Sequence, residues 1–106
     1  MLMVFCQAPD EACARLVAEA LVGERLAACV NILPGVQSVY RWQDEVQVAT
    51  EVGLVIKTSA SRFADMAARL RALHPYELPE IVAVRPDAAL PAYASWVIAQ
   101  TRKPLA

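Results

Sequence analysis

The sequence predicts one α+β domain: an antiparallel sheet with two helices on one face, in the order βαββαβ, followed by a terminal helix and carrying one long hairpin. Three observations predict it. Residues 46–58 alternate in polarity over a stretch well beyond ordinary strand length. Two segments, 12–21 and 63–73, repeat apolar residues at spacings of three and four. Short apolar runs precede the first of these helices and follow the second. With 106 residues, 58% hydrophobic content and three glycines, the chain fits a single domain over residues 1–106 with no sizeable linker.

Each element has a local cause. Leu2 to Cys6 is a short apolar run ended by Gln7-Ala8-Pro9-Asp10, a buried strand and a turn in which Asp10 is placed to cap a helix. Ala12, Leu16 and Ala20, with Cys13, Val17 and Leu21 beside them, form the stripe of that helix, and Gly23 stops it. Ala27 to Leu33 is rich in strand formers. Pro34-Gly35 then suits a bend or bulge rather than a reversal, and the strand resumes from Val36 to Trp42. Gln43-Asp44-Glu45 is polar enough for a hairpin turn, although it lacks an Asn-Gly or Asp-Gly pair. The return strand, Val46 to Thr58, places Val46, Val48, Thr50, Val52, Leu54 and Ile56 on one face.

Ser59 or Ser61 is positioned to cap the second helix, whose stripe is Phe63, Met66, Ala67, Leu70 and Leu73. His74-Pro75 ends it. Ile81 to Val84 reads as a short strand, and Pro91 as the first residue of a last helix with Tyr93 and Val97 inward and Leu90 a further inward candidate. This order is most simply satisfied by the ferredoxin-like arrangement. A return strand of about 13 residues at roughly 3.4 Å each spans about 44 Å, whereas a domain of this size has a radius of gyration near 13 Å. The hairpin therefore outreaches its own body. A protruding ribbon rich in Val, Tyr and Trp leaves apolar edges that call for another copy of the chain.

Composition excludes several roles. The net charge is −1 and the basic residues are scattered, so the footprint of a nucleic-acid or anionic-membrane binder is missing. No apolar stretch reaches membrane-spanning length, and no basic segment followed by a cleavable apolar core marks a targeting signal. Cys6, Cys13 and Cys29 are an odd set without CxxC spacing, which argues against a disulfide framework or zinc knuckle and for a reducing, cytoplasmic setting.

The most informative stretch is His74-Pro75-Tyr76-Glu77-Leu78-Pro79-Glu80-Ile81. It puts the only imidazole, two carboxylates and two prolines into one corner, where each proline holds its predecessor in extended backbone. Such a corner is expected to present side chains; the plainer reading is that His74 only ends a helix. Cys6, His74 and Glu77 supply thiolate, imidazole and carboxylate, the donor types of a soft or borderline cation such as Cu(I), Cu(II) or Zn(II). Cys6 is expected to be reachable because it ends a strand before a turn. Cys29 is a weaker candidate donor, better read as a small core residue.

Tyr40, Trp42, Glu51, Lys57 and Tyr76 form a second constellation. Glu51 and Lys57 share a face of the return strand but stand too far apart to pair along it, so each should meet a partner from elsewhere. They read either as subunit interface, or as a cleft between subunits that takes a small anionic ligand at Lys57. Cys6 with His74 and Glu77 or Glu80 has the residue types of a hydrolase. However, no glycine-rich phosphate loop, nucleophile elbow or paired-carboxylate motif supports an enzyme.

Several segments, in order and spacing over nearly the whole length, resemble the CutA divalent-cation-tolerance proteins. They are Cys6-Gln7-Ala8-Pro9-Asp10, Leu26-Ala27-Ala28-Cys29-Val30-Asn31-Ile32 with Pro34, and Ser38 with Tyr40 and Trp42. Glu51, Lys57-Thr58, His74-Pro75-Tyr76-Glu77, Pro79-Glu80-Ile81, and Tyr93 with Trp96 complete the set. The resemblance implies a ferredoxin-like subunit in a tight homotrimer whose hairpins exchange sheet contacts, usually cytoplasmic and similar in shape to PII-type signalling proteins. It also implies tolerance of copper and other divalent metals, without enzymatic activity. It makes Cys6 and His74 candidate metal ligands, to be joined by Glu77, and leaves a small-molecule or protein partner as the alternative. With one histidine and few thiols, a site within one subunit has few ligands to draw on.

Overall fold

A computed structural model of the chain describes residues 1–104. Its elements are β1 (Leu2–Ala8), α1 (Glu11–Gly23), β2 (Cys29–Trp42), β3 (Glu45–Thr58), α2 (Phe63–Leu73), β4 (Val82–Val84) and α3 (Pro91–Gln100), with a 3₁₀ turn at Ala60–Arg62 leading into α2. The four strands form one antiparallel sheet in the order β2-β3-β1-β4. The βαββαβ order and the added helix are those expected.

The core lies between the sheet and the two long helices. Strand β1 alternates strictly, with Leu2, Val4, Cys6 and Ala8 buried. From β3 come Val52, Leu54 and Ile56, from α1 Val17 and Leu21, and from α2 Met66 and Leu70. The face that α1 buries differs in part from expectation. Ala14, Val17, Ala18 and Leu21 are buried, whereas Leu16 is 56% exposed. Both stripes have helical spacing and share Val17 and Leu21; the small Ala14 and Ala18 let the helix seat close to the sheet. Asp10 caps α1 as expected, accepting from the Cys13 N–H at 2.7 Å. Neither Ser59 nor Ser61 caps α2 by its side chain, because the 3₁₀ turn comes between. Ser59 instead takes the Thr101 hydroxyl beyond the end of α3. On α3, Val97 is buried as expected, but Leu90 points outward at 71% exposure.

The hairpin is the dominant feature. Strand β1 pairs with residues 52–58 of β3, so residues 45–51 are paired only with β2. The ribbon thus leaves the four-stranded sheet at Glu51, and the molecule measures 45 Å along its longest axis. Val39, Val46 and Val48 on the free part are between 64% and 70% exposed. Pro34-Gly35 makes the predicted bulge: the register shifts between Leu33, opposite Gly53, and Val36, opposite Glu51, with Gly35 at φ +77. The turn is tight. Gln43 (φ 49) and Asp44 (φ 65) both adopt left-handed backbone, the two-residue geometry that normally selects Asn-Gly.

Candidate functional site

The predicted corner folds back onto the sheet instead of presenting its histidine. His74 is the C-cap of α2, in extended backbone as Pro75 requires, and is only 7% exposed. Its ring is held at both nitrogens. Nδ1 accepts the Tyr76 backbone N–H at 3.1 Å, so the neutral ring carries its proton on Nε2, which donates to the Gln7 carbonyl at 2.7 Å. A metal taking either nitrogen would have to displace one of these bonds. The expectation that the corner exposes its imidazole is therefore corrected: proline geometry fixes the backbone, but the Gln7 carbonyl at the end of β1 draws the ring inward.

Cys6 is likewise not reachable. It is fully buried in the core, because it falls on the inward parity of β1 with Leu2, Val4 and Ala8. Burial pushes its thiol up to about 12, keeping it protonated and poor as either nucleophile or ligand. Glu77 is exposed at the corner. Among the described residues no three His, Cys, Asp or Glu side chains are grouped to hold a metal ion, so Cys6, His74 and Glu77 do not form a ready site within one chain. Cys13 and Cys29 are partly buried free thiols.

The second constellation does assemble, with one exception. Tyr76, on the corner, reaches over the sheet and donates its hydroxyl to Glu51 Oε2 at 2.6 Å. Glu51 is only 7% exposed, a buried carboxylate at the point where the ribbon departs. Desolvation first, then the hydrogen bond to Glu51, raises the Tyr76 phenol above its ordinary range. Tyr40 and Trp42 on the outer part of β2 face the same open groove of about 920 Å³, whose other wall is the segment 77–82. Lys57 lies elsewhere: it is absent from this lining and donates to the side chain of Asn31 on β2.

Gln7 also belongs to the site, although no motif in the sequence marks it. It lies on the outward parity of β1, opposite Gly53, and lines the groove. A Cβ at position 53 would stand 3.4 Å from Gln7 Oε1 and 3.3 Å from Val36 Cγ2, so glycine gives the amide room to lie across the strand. Gln7 Oε1 is buried without a hydrogen-bond partner. The outward parity was legible in the sequence; the orphaned acceptor was not, since it depends on what passes overhead.

The geometry can be set beside known proteins. The family model described as CutA1 divalent ion tolerance protein matches residues 2–100. The chain belongs to this family. The divalent-cation tolerance protein CutA of Thermus thermophilus is 47% identical over 95 residues, covering 90% of this chain and 92% of that protein. The protein of the same name from Pectobacterium atrosepticum is 36% identical over 100 residues, covering 94% of this chain and 91% of its own length. Among solved structures, CutA from Xylella fastidiosa superposes with a TM-score of 0.93 at 42% identity, covering 95% of this chain and 97% of its own. The Thermus thermophilus Cut A1 structure does so at 0.93 and 46%, covering 96% and 100%. Family membership thus agrees with the fold and with the resemblance drawn from the sequence. The relatives' names support a role in divalent-cation tolerance, and the family is a tolerance family by name.

Proposed function

We propose that this chain works as a homotrimer in the cellular response to divalent cations, binding copper or another divalent ion in the cytoplasm. The hairpin carries this reading. Residues 45–51 of β3 have a pairing partner on one side only, and their valines stand open to solvent, which is a surface built to be covered by copies of the same chain. The relatives' names supply the cation-tolerance role. Because one chain groups no three donors among the described residues, ion binding is read as a property of the assembly. Glu77 is the candidate donor that needs no rearrangement, whereas Cys6 and His74 would first have to leave their buried positions.

Native mass spectrometry of the reduced protein titrated with Cu(II) and Zn(II) tests both parts together. The expected result is the mass of three chains taking up integral metal equivalents. Three chains that stay metal-free at micromolar metal refute direct ion binding and leave the assembly standing; a monomer refutes the assembly.

A second reading, a small-molecule sensor or scaffold similar to PII-type trimers, is favoured by one observation. Four of the five residues of the second constellation converge on a groove with a buried carboxylate at its base. A ligand that raises the melting temperature of the wild-type chain but not of a Glu51 variant, with metal titrations unchanged, would support it.

A further inference from the structure

The free part of the hairpin has two faces of opposite character. By the register above the bulge, one face carries Val39, Arg41, Val46 and Val48, an apolar strip with a single cation and no carboxylate among its strand residues. Arg41 is exposed and has no ion pair among the described residues. The other face looks into the groove beside Tyr76, whose lining brings Glu51, Glu77 and Glu80 together without a lysine, arginine or histidine among the described residues. Tyr76 holds Glu51 at the base, whereas Glu77 and Glu80 stand exposed on the wall beside Leu78, itself 72% exposed.

Each face lacks what the other has. Two grooves set against each other would gather carboxylates only, and two valine strips set against each other would leave both grooves uncovered. Laying the strip of one copy on the groove wall of the next covers apolar surface on both and brings Arg41 to carboxylates. Such a contact is heterologous, so each copy keeps one face of each kind unfilled until rotation closes a ring. The reach suffices. Residues 45–51 run beyond the four-stranded sheet, which at about 3.4 Å per residue is a projection of roughly 24 Å, against a radius of gyration of 14.4 Å.

We propose that the groove receives the hairpin of a second copy of this chain, head to tail. The strip of Val39, Val46 and Val48 covers the wall at Leu78, and Arg41 of one copy pairs with the Glu77 and Glu80 carboxylates of the next. The proposal rests on the homotrimer reading and names its contact, giving the groove to the chain itself in place of a small molecule.

Charge reversal and the reciprocal swap test the proposal on the reduced protein, with light scattering coupled to size exclusion reporting the mass over a dilution series and in increasing urea. Arg41→Glu is expected to raise the dissociation constant at least roughly tenfold, since like charges then face each other across the contact. Salt at about 1 M should narrow that difference. Arg41→Gln, which only removes the charge, should act in the same direction and less strongly. Glu77→Arg together with Glu80→Arg should also weaken association, and combining both with Arg41→Glu should restore it to within about threefold of wild type. An Arg41→Glu variant that associates as wild type does, or a combined variant no tighter than the weaker of its parents, overturns the proposal and leaves the homotrimer reading standing. A wild-type oligomer that falls apart on chelation with EDTA gives the wall carboxylates to a metal ion and also overturns it. A wild-type monomer overturns both.

Discussion

The Tyr76 hydroxyl lies 2.6 Å from Glu51 Oε2, joining the corner that follows α2 to the point where the hairpin leaves the sheet. This bond links two segments that share no strand pairing, and it supplies a buried carboxylate with a donor. Tyr76→Phe should therefore cost about 1.5–3 kcal/mol, the range for a hydrogen bond to a charged group. Urea denaturation at fixed protomer concentration measures it, and a loss below about 0.5 kcal/mol would mean that water replaces the phenol without penalty.

Cys6 should be the slowest of the three thiols to alkylate. In native protein at pH 8, iodoacetamide is expected to modify Cys13 and Cys29 first, and Cys6 only after denaturation. Peptide mapping decides this, and early modification of Cys6 would contradict its core position.

The same thiol gives a pH dependence whose sign is fixed. Its ordinary value of 9.0 applies when the chain is unfolded, and it is pushed up to about 12 in the fold. The native state then holds the proton longer, so the contribution of Cys6 to stability is complete below pH 9 and is lost as pH rises from 9 towards 12. Cys6→Ala should flatten that alkaline decline relative to wild type, as followed by thermal melts across the window. A decline of unchanged steepness would assign it to other groups, including the Tyr76 phenol, which shifts in the same direction.

Val39 and Val48 face each other across the free ribbon, 69% and 70% exposed. Val48→Lys is expected to weaken association while leaving the far-ultraviolet circular dichroism of the chain intact, since this position contributes nothing to the core. Light scattering coupled to size exclusion reports the mass; an unchanged oligomer would move the interface elsewhere.

At the ribbon tip, left-handed backbone at Gln43 and Asp44 is borne by residues with a Cβ. The double change Gln43→Asn and Asp44→Gly should raise stability by about 1 kcal/mol, because it supplies the residues that this turn geometry favours. No gain would show that contacts of the tip already compensate.

Much of this architecture was legible because its causes are local. Pro34-Gly35 declared a bulge, Pro91 began a helix, and alternation revealed a ribbon too long for its body. The departures had non-local causes, except at Cys6. Cys6 was judged by its nearness to a turn, when the alternation Leu2, Val4, Cys6, Ala8 decides its direction. His74 was judged by its prolines, yet its ring is placed by a carbonyl 67 residues away. Lys57 and Glu51 were correctly given one face, but only the register with β2 shows that Lys57 meets Asn31, while Glu51 meets Tyr76 from beyond the sheet. No sequence pattern names such partners.

The bulge at Pro34-Gly35 also acts as a phase shifter. Below it the odd-numbered residues of β2, Asn31 and Leu33, share a face with Val55 and Gly53; above it the even-numbered Val36, Tyr40 and Trp42 share that face with Glu51, Gln47 and Glu45. One supernumerary residue thus decides which half of the ribbon's side chains look toward the groove. Carried in unbroken alternation instead of being absorbed at the bulge, the extra residue would turn both aromatic rings to the opposite side, whereas removing residue 35 would leave Val36 opposite Glu51 in a regular ladder and both rings where they are. The groove therefore depends on the bulge that absorbs the extra residue as much as on residue identity.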